Sequence, residues 1–175
     1  LQIQVEDEDS LTERFDREQE IGVIDIAVIR IPRISNFTDF NPLENIEGVS
    51  LRYVKNPSEL GNPDMIILPG TKNTMEDLLW MRTTGMEAAI LKEVAKGKFV
   101  FGICGGYQML GHKLHDPEHV ESRVPELAGL DLLDMEVTFA KEKYTAQTSG
   151  VVNASGWLAQ ANGVIVDGYE IHAGH

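Results

Sequence analysis

Hydrophobic positions fall along this chain in two patterns. Short, nearly unbroken apolar runs rich in β-branched residues alternate with stretches whose apolar residues recur every three or four positions. "IDIAVIRI", Ile24 to Ile31, lies between Gly22 and Pro32 and predicts a strand buried on both sides. "VSLRYV", Val49 to Val54, alternates like a second strand, and "DMIILPG", Asp64 to Gly70, predicts a third that stops at Pro69-Gly70. "SNFTDFNPLENI", between the first two, reads as a loop with one turn of helix. "NTMEDLLWMRTTG" has a polar start, helically spaced apolar residues and a Gly85 stop, and "MEAAILKEVAKG" repeats that form up to Gly97. "KFVFGIC" predicts a fourth strand, followed by a short helix over "GGYQMLGHKL". Apolar strands separated by helices predict an α/β fold, a mostly parallel sheet covered by helices on both faces.

The second half is less regular. "LLDMEVTF", "SGVVNASGWLAQ" and "GVIVDGYEIHAGH" read as strands with no helix between them. The last stretch still has strand character at His175.

Charge changes the picture at one end only. The formal net charge is −13, and the first twenty residues hold eight acids and two arginines. That run reads as an acidic linker over 1–20, ahead of a folded domain over 21–175 whose C-terminal part is expected to be missing. So acidic a chain offers no surface to neutralise phosphates, which excludes nucleic acid. No apolar run approaches a membrane span and no basic leader precedes one, so no membrane is expected. The single cysteine forms no internal disulfide, which suits a reducing, cytoplasmic setting.

That cysteine carries the candidate chemistry. In a parallel sheet, ligands sit at the carboxyl ends of the strands. One such end reads Gly102-Ile103-Cys104-Gly105-Gly106, the G-x-C-x-G form of a nucleophile elbow with sulfur in place of hydroxyl. Gly102 and Gly106 supply the clearance so sharp a turn needs, and the start of the following helix favours the thiolate of Cys104. The Gly105 amide would point at a developing oxyanion. The loop Pro69-Gly70-Thr71-Lys72-Asn73-Thr74 lies at a neighbouring strand end, and an amide from Gly70 or Thr71 would complete the oxyanion hole. Lys72 in this loop would also suit a phosphate, but the loop has neither P-loop nor dinucleotide spacing.

A base is needed as well. His112, His115 and His119 lie on or just past the helix leading from the elbow and read as surface residues, and His175 is terminal. His172 on the last strand, with Glu170 beside it, is the best candidate in the chain. One cysteine and scattered histidines give no metal-ligand spacing, and none is assigned.

"GICGGYQMLG" matches the G-[IL]-C-x-G-x-Q signature of the class I glutamine amidotransferases. With "IAVIRIPRISNFTDFNPLE", "VSLRYV", "LPGTKNTMEDLLWMR", "DPEHVES" and "GYEIHAG", the chain from Glu6 to His175 resembles the amidotransferase domain of the cobyric acid synthase family, of the CobB/CobQ type. The resemblance implies a flavodoxin-like layering and hydrolysis of glutamine through a Cys104 thioester. The released ammonia would serve ATP-dependent amidation of corrin-ring carboxylates in cobalamin biosynthesis. Gln108, fixed in the signature, would help bind glutamine. No cofactor is implied for this domain. ATP and magnesium belong to an N-terminal synthetase domain, the implied partner, through which the corrin is met. By the same resemblance, the acidic run corresponds to the junction with that domain. A Tyr-x-His-Gly histidine beyond residue 175 would be the base, His172 would shape the pocket, and no third triad member is expected. Two other functions fit the residues: another cysteine hydrolase with the same elbow, or a non-catalytic docking or regulatory piece of a synthetase.

Overall fold

The computed structural model describes residues 22–174, so the acidic run over 1–20 and His175 lie outside the described residues. Strands β1 (Ile24–Ile29), β2 (Val49–Val54), β3 (Met65–Leu68) and β4 (Phe99–Gly102) form one sheet in the order β2-β1-β3-β4. All three pairings are parallel, with Ile26 opposite Leu51 and Leu68 opposite Gly102. Alternate residues of β1 feed two cores, as the pleat requires. Ala27 and Ile29 join Ile66, Leu68, Leu78 and Met81 on one face, whereas Ile26 and Val28 meet Leu51, Ile67 and Phe40 on the other. Each fully buried aliphatic side chain of this kind stabilises the fold by roughly 1.5–3 kcal/mol.

The larger core is roofed by α2 (Thr74–Thr84) and α3 (Met86–Ala95). In α2, Met75, Leu78 and Met81 are buried at helical spacing, and the Asn73 side chain caps the start by accepting from the Glu76 amide at 2.9 Å. Gly85, at φ 82°, ends α2 in the left-handed region and turns the chain straight into α3. Shorter elements cover the opposite face, namely a 3-10 turn over Phe37–Phe40 and the single turn α1 (Asn41–Glu44). The α/β sheet with cover on both faces is thus as the sequence predicts, with single turns where longer helices would be usual.

Beyond β4 the chain departs from the sequence reading. The helix after Cys104, α4, spans only Gly105–Gln108, and the residues expected to continue it form a turn and β5 (Lys113–His115). β6 (Glu126–Ala128) pairs antiparallel with β5, and β7 (Glu136–Val151) pairs parallel with β5 at its start. β7 then forms a long antiparallel ribbon with β8 (Ile165–Gly174), interrupted between Phe139 and Tyr144. The "SGVVNASGWLAQ" stretch is not one strand. It ends β7 at Val151 and passes into a 3-10 turn over Gly156–Ala161. No described helix is long and apolar enough to cross a membrane.

Candidate active site

The register of β3 against β4 assembles the site. Because Leu68 is paired with Gly102, the two chains leave the sheet side by side, and the Ile103 amide still donates to the Leu68 carbonyl at 2.9 Å. Cys104 follows at φ 49° and ψ −112°, a backbone conformation that a non-glycine residue adopts at a cost of roughly 1–3 kcal/mol. Its side chain is exposed.

The glycines around it are sterically obligatory. A Cβ on Gly106 would lie 2.1 Å from the Leu68 carbonyl oxygen, and one on Gly102 would lie 2.6 Å from Cα of Tyr107. A Cβ on Gly105 would lie 2.5 Å from the Thr71 methyl and 3.5 Å from the Thr71 nitrogen, so these two backbones face each other closely. Among the described residues, no acceptor takes the amide of either Gly105 or Thr71. Because α4 is a single turn, what it presents to Cys104 is its first amide rather than the field of a long helix.

The Thr71 loop is held from behind. Ser35 N–H donates to the Gly70 carbonyl at 2.9 Å and Lys72 N–H to the Arg33 carbonyl at 3.0 Å, a two-bond clasp between segments far apart in sequence. Gly70 backs onto Cys104, where an added Cβ would stand 3.8 Å from the cysteine Cβ. Asp77, fully buried in α2, accepts from the Thr71 hydroxyl, from the Arg33 amide at 3.2 Å and from the Arg33 guanidinium at 2.9 Å. One carboxylate thereby fixes both strands of the clasp.

In front of Cys104 lies a cleft of about 420 Å³, continuous in its lining residues with a second hollow of about 300 Å³; Cys104, Gln108 and His172 line both. Thr71 and Gly105 line the second. Gln108 is oriented by the Thr74 hydroxyl, which donates to its Oε1 at 3.2 Å, and by Gly174, where any Cβ would meet its Nε2 at 2.5 Å. His172 on β8 has Nδ1 2.6 Å from the Gly174 carbonyl and Nε2 2.8 Å from Glu170, with the Tyr144 ring 5.5 Å away. Both of its ring nitrogens therefore face acceptors.

Of the remaining described histidines, His112, His115 and His119, none is brought to the cleft, and their expected helix is absent. His112 sits in the turn after α4 between Asp131 and Asp134, and hydrogen bonds to those two carboxylates raise its pKa. His115 lies on β5, 3.0 Å from Glu136, and His119 reaches the Ser122 carbonyl at 3.1 Å. No three described His, Cys, Asp or Glu side chains group as a metal site.

One wall residue has no counterpart in the sequence reading. Glu121 lines the second hollow, and its Oε2 accepts from the Thr74 and Met75 amides at 2.6 and 3.2 Å. Burial pushes its carboxyl up from the ordinary value, against the pull of those amides. Asp116, itself fully buried, fixes the loop by accepting the amides of Val120, Glu121 and Ser122 at 2.7, 2.9 and 2.7 Å. The only sequence signal was the "DPEHVES" block, which carried no chemistry by its spacing.

Comparison with known proteins adds to this geometry. The CobB/CobQ-like glutamine amidotransferase domain matches residues 25–175. A cobyric acid synthase of Ruminiclostridium cellulolyticum is 53% identical over 100% of this chain and 34% of its own length. One from Lachnoclostridium phytofermentans is 55% identical over 98% of this chain and 33% of its own. The chain thus spans about a third of the length of these curated relatives. Among solved structures, PurLQS from Thermotoga maritima superposes with a TM-score of 0.62 at 19% identity, covering 86% of this chain and 67% of that one. A glutamine amidotransferase crystal structure gives 0.55 at 21%, covering 74% and 65%. These two likenesses speak to fold alone. The sequence match over residues 25–175 carries the assignment, and by it the chain belongs to the CobB/CobQ-like glutamine amidotransferase domain family.

Proposed function

We propose that this chain is the glutaminase part of a cobyric acid synthase, releasing ammonia from glutamine through a thioester on Cys104. The observation that carries the reading is the strained, exposed Cys104 beside two amides that no described residue accepts, in a chain of this family.

The chemistry would run as follows. Sγ of Cys104 attacks the side-chain amide carbon of glutamine, forming a C–S bond, and the carbonyl oxygen becomes an oxyanion held by the Gly105 and Thr71 amides. Gly70 serves as the rigid support of that second amide. The thiol proton passes through a base to the departing nitrogen, the C–N bond breaks and ammonia leaves. Water then cleaves the thioester, giving glutamate and restoring the thiol. Gln108 helps hold the substrate.

His172 is the candidate base among the described residues. To take the thiol proton it has to exchange its Glu170 contact for Sγ. The resemblance offers another base, a Tyr-x-His-Gly histidine beyond residue 175, with His172 then a wall of the pocket. The ammonia would pass to a synthetase domain that activates corrin carboxylates with ATP and magnesium, as befits relatives three times this length. A cytoplasmic setting suits a free nucleophilic thiol.

Intact mass after treatment with the glutamine-mimicking diazoketone diazo-oxo-norleucine tests the reading. One adduct, blocked by excess glutamine and absent in Cys104→Ser, is expected. A folded protein that takes no adduct would refute it. In His172→Ala, loss of labelling by roughly 100-fold or more marks the base, because general bases contribute on that scale. A change of only a few-fold marks a wall residue.

A further inference from the structure

We infer that one face of the β7–β8 ribbon, centred on Tyr169, is a docking surface for the ammonia-consuming part of a longer polypeptide, which thereby closes over the mouth of the cleft. This rests on the glutaminase reading and specifies where its product is handed on.

Four observations support it. First, the register of the ribbon gathers Val151, Ile165, Tyr169 and Ile171 on one face, with Thr145, Gln147 and Ser149 among them. The four apolar side chains are 66, 69, 75 and 56% exposed, so uncovered apolar surface runs along the paired length. Second, β8 is the outermost described strand of its sheet, and Ile165–Gly174 holds no proline and only the carboxylates Asp167 and Glu170 as charges. A long edge strand in a two-stranded ribbon is marginal by itself, and proteins cover such edges. Third, the apolar face runs into the cleft. Ile171, at its end, lines both hollows, and it meets Tyr107, Met135 and Val137 in the larger one. A body seated on this face would stand over Cys104 and receive a small neutral molecule between apolar walls, away from water. Fourth, charge and length narrow the occupant. Asp167 is the one charged residue on this face, so the matching surface is apolar with a cation opposite it. A second copy would bring another Asp167 and no cation, on a chain of net charge −13. Relatives of which this chain spans 34% carry much further polypeptide, and an ammonia-consuming body within it is the occupant that this position serves.

Hydrogen exchange at the β8 amides reads the interface. The comparison is between this chain alone and the same chain carried in place of the matched third of the full-length Ruminiclostridium cellulolyticum relative. The amides of Ile165 to Ile171 are expected to exchange at least about tenfold more slowly in the long protein, with those of β1 and β3 unchanged. Tyr169→Ala, at the centre of the face, should remove most of that protection, as loss of an aromatic anchor does. Val166→Ala, half exposed on the opposite face, should leave it intact. Equal exchange in the two proteins, or equal effects of the two substitutions, overturns the surface. Protection that appears in the chain alone as its concentration rises marks a second copy as the occupant and overturns the assignment too. Labelling of Cys104 by diazo-oxo-norleucine is measured alongside. With labelling intact, each of these failures leaves the glutaminase reading standing; with no labelling in a folded protein, both fall. If the long protein with this chain in it does not fold, the native relative decides, by exchange in its own segment matching Ile165 to Ile171.

Discussion

Replacing Gly106 with alanine tests whether the elbow is built by close approach. The added Cβ would lie 2.1 Å from the Leu68 carbonyl oxygen, 2.5 Å from its carbon and 2.7 Å from the Pro69 oxygen, where ordinary contact begins at 3.4 Å. These are backbone atoms, so no side-chain rotation relieves the clash. The Leu68 carbonyl is also the acceptor of the Ile103 amide, and its retreat would open the junction of β3 with β4. Either α4 or the strand end must therefore move by about 1 Å, which as overpacking costs about 1–3 kcal/mol. For a domain of this size that lowers the melting temperature by about 3–10 °C. On the proposed chemistry, a shift of that size between Sγ of Cys104 and the carbon it attacks would slow labelling about 100-fold. Thermal melting by circular dichroism and the rate of diazoketone labelling report the two effects separately. Gly168→Ala is the control, since a Cβ there meets nothing within 4 Å. A Gly106→Ala protein with the parent's melt and labelling rate would refute the packing argument.

Three further outcomes are expected. Cys104→Gly, placed at φ 49° and ψ −112°, relieves backbone strain and should melt no lower than the parent, by a margin of up to about 2 kcal/mol, while losing all adduct formation; a clear loss of stability would contradict this. Asp77→Ala strips the clasp of its buried acceptor and should cost about 2 kcal/mol in denaturant melts and slow labelling of Cys104, with a parent-like rate counting against the role of the clasp. Burial raises the Glu121 pKa above its unfolded value, so its ionisation costs stability once the pH passes the folded pKa, and the penalty is absent below the unfolded one. Glu121→Gln should therefore melt higher than the parent at about pH 7.5 and converge with it towards about pH 4, and a lower melt at the higher pH would show the sign to be wrong.

The parts of the molecule legible in the sequence are those that bury a face. β1 to β4, α2 and α3 announced themselves because Ile26, Ala27, Val28 and Ile29 fill two cores and Met75, Leu78 and Met81 one. The β7–β8 ribbon buries little along most of its length, so its residues alternate with no consequence, and its end at Val151 and the following 3-10 turn left no periodic trace. β5 and β6 are too short for any period, which is why His112 and His115 read as helical. Cys104 was legible because its glycines are local to it. Asp77, Arg33 and Glu121 were not, because each acts across more than forty residues of chain, on a loop whose position only the folded sheet decides.

The interruption in β7 divides the cleft into two mechanical halves. Cys104 and Thr71 stand at the end of a four-stranded sheet with packed faces. Ile171 and His172 lie beyond the irregularity, opposite Thr145 and Tyr144, where β7 has β8 as its partner. A two-stranded ribbon opens at far less free energy than a packed sheet, so its amides exchange with solvent hydrogen long before those of β1 or β3. The far wall is thus the softer of the two, and if the chain is the glutaminase proposed above, an entering substrate would displace that wall before the elbow that holds Cys104.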